Sequence, residues 1–91
     1  MEIKNAIVVV IDFDYDIDFK EGTYVFTERD EVIDLVHKAL VVMNNKRFTY
    51  ANEVINDKDW LKDFIYSGGE QFGNWEIYIS FTSEKALNLF K

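Results

Sequence analysis

Ninety-one residues are too few for two ordinary domains, so the chain is expected to form one unit around one core, spanning residues 1–91. Hydrophobic residues make up 48% of it and include eight Phe, five Tyr and two Trp, which argues against intrinsic disorder. The absence of cysteine removes disulfide frameworks, thiolate zinc sites and thiol catalysis together, and a net charge of −7 argues against direct contact with nucleic acid phosphates or an anionic membrane.

The charge is unevenly placed. Residues 1–31 hold nine acids and three bases, whereas residues 32–91 hold eight and seven. A one-signed field concentrated on part of a small surface speeds association with an oppositely charged partner. The apolar run Ala6–Ile11 is too short for the core of a signal peptide and is followed at once by acids, so neither an export signal nor a membrane span is expected, and the default location is cytoplasmic.

In chain order, residues 6–11 (AIVVVI) form a β-branched run that predicts a strand buried on both faces. From Ile11 to Phe19 the pattern becomes strict alternation: Ile11, Phe13, Tyr15, Ile17 and Phe19 on one side, Asp12, Asp14, Asp16 and Asp18 on the other. Lys20–Gly22 reads as a turn and Thr23–Thr27 as a return strand, giving a long N-terminal hairpin over residues 6–27. Thr27 and Asp30 resemble a capping box opening a helix over about residues 28–44, in which Val32, Ile33, Val36, Ala39, Leu40 and Met43 form an apolar stripe.

Phe48–Ile55 fits either a short strand or a loop. Asn56 is expected to cap a second helix carrying Trp60, Leu61, Phe64 and Ile65, which stops at Ser67-Gly68-Gly69, and residues 67–74 read as a helix stop and a flexible loop. Trp75–Phe81 alternates as a third clear strand, and Ser83 caps a short last helix with Ala86, Leu87 and Phe90. The fold class that follows is α+β: an antiparallel sheet of three to four strands, packed on one face by two to three helices.

The four aspartates carry the most chemical information. At i, i+2, i+4 and i+6 of a strand, neighbouring carboxylates stand roughly 7 Å apart on one face. Such neighbours repel by about 0.6 kcal/mol even in bulk water, and aspartate is a poor strand former, so local stability does not select the pattern. Charge that blunts an edge strand is one reason for it. The other is mimicry of a phosphate backbone, whose steps have a spacing of the same order. Glu21, Glu28, Asp30 and Glu31 follow closely and are candidates to extend the acidic patch, with Tyr15 as an interface anchor inside it. Tyr50, Tyr66 and Tyr78 are further interface candidates.

A metal site is the competing chemistry. The series D-x-D-x-D from Asp12 has Ile17 where a calcium loop needs glycine and Thr23 where it needs a bidentate glutamate, so a calcium loop is excluded. The run VVVIDFDYD resembles the first motif of haloacid-dehalogenase-type phosphatases over nine residues, although Asp16 stands where that family has threonine or valine. That fold needs far more chain than this. A small ferredoxin-like CRISPR-associated nuclease, with an aspartate closing its first strand, fits the length and is matched at Asp12 or Asp14 alone. His37 reads as a lone surface histidine, which leaves no base for a hydrolytic triad.

The expectation is therefore a non-enzymatic, acidic inhibitor without cofactor or metal. Its contact residues are Asp12, Asp14, Tyr15, Asp16, Asp18, Glu21, Glu28, Asp30 and Glu31, and its partner is a protein with a basic nucleic-acid-binding groove. Proteins of this kind include phage anti-CRISPR and anti-restriction factors and nuclease immunity proteins. The alternatives are a small metal-dependent nuclease or phosphotransferase using Asp12, Asp14 and Asp16, and a plain assembly subunit.

Overall fold

A computed structural model describes residues 5–13, 20, 22–46, 52–73 and 75–90, with the side chains of 45, 46, 52 and 53 outside that description. Four strands, β1 (Ile7–Asp12), β2 (Gly22–Phe26), β3 (Gly69–Phe72) and β4 (Trp75–Phe81), form one antiparallel sheet in the order β2-β1-β4-β3. Among the described residues four helical segments accompany them: α1 (Arg29–Lys46), α2 (Asn52–Ile55), α3 (Lys58–Tyr66) and α4 (Glu84–Asn88). The α+β class, the antiparallel sheet and its one helix-covered face agree with the sequence reading.

β1 is central because its β-branched residues favour the extended chain and find apolar partners on both sides. It pairs with β2 from Ile7↔Phe26 to Ile11↔Gly22 and with β4 from Ile7↔Phe81 to Asp12↔Glu76. Ile7, Val9 and Ile11 are buried under the helices, but Val8 and Val10 are only half-buried. The expectation of a strand buried on both faces is thus corrected: the even positions lie on a sheet face where Thr23, Val25, Tyr78 and Ser80 are exposed. The hairpin is present, and its alternating segment from Asp14 to Phe19 lies outside the described residues.

The six-residue stripe predicted for α1 is buried without exception, and Asp30 and Glu31 in its first turn complement the positive end of the helix dipole. The segment that read as strand or loop is helical over residues 52–55 and anchored by buried Ile55. The cap of α3 is Asp57 rather than Asn56. The Asp57 carboxylate accepts from the backbone N–H groups of Asp59 at 2.9 Å and Trp60 at 3.3 Å, while Asn56 Oδ1 lies 2.9 Å from His37 Nε2 and ties α1 to the α3 approach. Leu61, Phe64 and Ile65 of α3 join the core, whereas Trp60 remains half-buried and stacks on Phe64.

Residues 69–72, expected to be loop, are the edge strand β3, paired with β4 from Gly69↔Tyr78 to Phe72↔Trp75. The turn from α3 makes this possible. Gly68 (φ +100°) ends the helix and accepts from the Ile79 N–H through its carbonyl at 2.9 Å, so the chain enters the sheet in the next residue. Gly69 (φ +83°) then passes so close to β4 that a Cβ would sit 2.0 Å from the Ile77 carbonyl oxygen. Gly69→Ala combines a left-handed backbone with this overlap and is expected to cost about 2–4 kcal/mol. Thermal unfolding checks it; a variant as stable as the parent contradicts the close β3–β4 approach.

α4 begins at Ser83, whose hydroxyl accepts from the Ala86 N–H at 3.2 Å, as the sequence suggested. Ala86 and Phe90 return to the core, with the Phe90 ring 5.9 Å from that of Phe81. Among the described residues no helix is long and apolar enough to cross a membrane.

Candidate functional site

The sheet face opposite the helices is built by alternation. On β1 it carries Val8, Val10 and Asp12; register places Val25 and Thr23 of β2 on one side, and Ser80, Tyr78 and Glu76 of β4 on the other. Gln71 of β3 follows beside Glu76. The centre is apolar, with Val25 51% and Tyr78 40% exposed, and one end is acidic.

That acidic end consists of two carboxylates in direct cross-strand register. Asp12 is exposed at the last position of β1, and Glu76 opposite it is half-buried. Directly facing residues of an antiparallel pair have Cβ atoms roughly 4.5–5.5 Å apart, and like charges placed so are destabilising. Phe13 follows Asp12 and turns back into the core against Trp75, ring centroids 5.5 Å apart, fixing the backbone where the chain leaves the sheet. The chain re-enters at Gly22, opposite Ile11.

The other candidates divide between two places. Asp14, Tyr15, Asp16, Asp18 and Glu21 lie outside the described residues. Glu28, Asp30 and Glu31 are all exposed at the start of α1, just after Phe26, which pairs with Ile7 at the opposite end of β1 from Asp12. Five residue steps along β1 separate the two ends, roughly 16 Å. The fold therefore holds Glu28, Asp30 and Glu31 apart from Asp12 rather than in one continuous patch through it.

Their surroundings also differ. Asp30 Oδ1 lies 3.6 Å from Arg29 Nε in an exposed pair, and Arg29, Asp30, Ile33, Asp34, Lys58 and Lys62 line one open depression between α1 and α3. Three cations beside two carboxylates make this end mixed in charge. Sequence reading missed this because it depends on α1–α3 packing, and it missed Glu76 because it depends on β1–β4 pairing. The even positions Glu76, Tyr78 and Ser80 of the β4 alternation were the signal for the open face.

Among the described residues no three Asp, Glu, His or Cys side chains come together as a metal site would require. Asp12 is the one member of the Asp12, Asp14 and Asp16 row among them. Comparison with known proteins finds no matching family, no matching curated protein and no matching solved structure.

Proposed function

We propose that this protein is a non-catalytic, acidic protein-binding inhibitor that acts in the cytoplasm by occupying the basic nucleic-acid groove of a partner with its aspartate-bearing hairpin end. The observation that carries the reading is the position of Asp12: exposed, at the end of the central strand, beside a second carboxylate, where the sequence continues into Asp14, Asp16, Asp18 and Glu21 before returning at Gly22. A groove lined by Lys and Arg suits two carboxylates in register, because each carboxylate then accepts a charge-assisted hydrogen bond. Anti-CRISPR factors, anti-restriction factors and nuclease immunity proteins are the classes in which such an inhibitor acts.

The test uses a panel of purified nucleases: a CRISPR effector complex, a restriction endonuclease and a bacterial toxin DNase. Each is incubated with the protein and then given labelled duplex DNA. One of them is expected to lose DNA binding in proportion to added protein, and excess DNA should restore it. Because the contact is between partly exposed charges, the inhibition constant should rise at least about tenfold between about 50 and 300 mM salt. Inhibition indifferent to salt removes the electrostatic basis of the proposal, and a panel without inhibition counts against it.

A further inference from the structure

The two edges of the sheet are built differently. β3 is four residues long, begins at the constrained Gly69 and carries the exposed Glu70. β2 is the other edge, and no strand pairs with its outer side among the described residues. Its sequence, Gly22-Thr23-Tyr24-Val25-Phe26, holds neither a charge nor a proline, in a chain that is 30% charged. Natural edges are normally blunted by lysine, proline or a bulge, because an open row of N–H and C=O groups invites another strand. Val25 adds an apolar side chain that is half exposed.

We infer that β2 pairs antiparallel with β2 of a second copy of this chain, about a two-fold axis through Tyr24, joining two four-stranded sheets into one of eight strands. The sequence of β2 is self-complementary in this register. Tyr24 is the midpoint of Gly22–Phe26, so all five residues overlap only when Tyr24 faces Tyr24. Gly22 then faces Phe26 of the second copy, whose ring covers the surface a glycine leaves bare. Thr23 faces Val25, a β-branched pair on the open face.

The flanks agree. Lys20, whose carbonyl accepts from the Tyr24 hydroxyl, comes to the end of the partner strand that leads into Glu28, and symmetry makes two such opposite-charge contacts. Moving the axis by one residue, to Val25, leaves only Tyr24 to Phe26 of β2 facing one another. The pairing uses an edge rather than a face, so it leaves Asp12 and Glu76 uncovered, and Glu28 is the one acidic candidate it engages.

A chain without cysteine allows a register test. Thr23→Cys and Val25→Cys are made as separate proteins; both positions are exposed, so both variants should fold. Facing Cα atoms lie roughly 4.5–5.5 Å apart, inside disulfide range, whereas residue 23 to 23 or 25 to 25 is offset by two positions along the strand to about 8 Å, outside it. Under mild oxidation an equimolar mixture is expected to give at least about fivefold more cross-linked dimer than either variant alone. Sedimentation of the unmodified protein should show a concentration-dependent dimer. Glu28→Lys should weaken it about tenfold, and Lys20→Glu combined with Glu28→Lys should restore it to within about threefold. A protein that stays monomeric at every concentration, or a Val25→Cys variant that cross-links alone as readily as the mixture, overturns the inference.

Discussion

Phe13→Ala is expected to cost about 3–5 kcal/mol, a large part of the roughly 5–15 kcal/mol that holds a domain of this size together. The ring is wholly buried, packs on Trp75 and closes the core at the point where β1 ends. Removing it deletes apolar contact and opens a cavity beneath both the first residue of β4 and the last of β1, which cannot collapse while the β1–β4 ladder holds through Asp12↔Glu76. In urea unfolding the midpoint should fall sharply with little change in slope. Asp12→Asn, one residue earlier but exposed, should stay within about 0.5 kcal/mol of the parent. A Phe13→Ala variant within about 1 kcal/mol of the parent would mean that this ring does not anchor the acidic end of the sheet.

Phe13 also illustrates what could be read from sequence. Its alternation with Asp12 separated core from surface correctly before any strand pairing was known, as the 3.6-residue period did for Val32 through Met43 in α1. Local caps were legible where one candidate stood alone, as at Ser83. They were not where Asn56 and Asp57 are adjacent, because the choice depends on His37 drawing Asn56 away. β3 was hidden for a related reason: Gly-Glu-Gln-Phe has little strand propensity of its own, and it is extended because Gly69 permits a close approach to β4. Of the site, the acidity of the hairpin was plain, while Glu76 beside Asp12 and the cations beside Asp30 required contacts between elements far apart in the chain.

Replacing Asp12, Asp14, Asp16 and Asp18 together by asparagine is expected to reduce inhibition at least about 100-fold while stability holds or rises slightly. The substitution keeps side-chain size and removes four negative charges, taking the net charge from −7 to −3. At Asp12 it also relieves the repulsion with Glu76 across the ladder, which is why folding should benefit. Binding should respond in the opposite direction, since a neutral amide cannot replace a carboxylate facing Lys or Arg, and each cation left unpaired in the contact adds its own desolvation cost. A second variant, Glu28→Gln with Asp30→Asn and Glu31→Gln, removes three charges from the far end of the sheet. Because Asp30 already sits beside Arg29 and shares a depression with Lys58 and Lys62, this variant should weaken inhibition by much less, about tenfold at most. If the two variants lose inhibition equally, the partner reads total charge rather than the Asp12 end. If the four-asparagine variant folds and inhibits at full strength, the aspartates serve solubility alone, and the contact must be sought on the apolar part of the open face, where Val25 and Tyr78 are exposed.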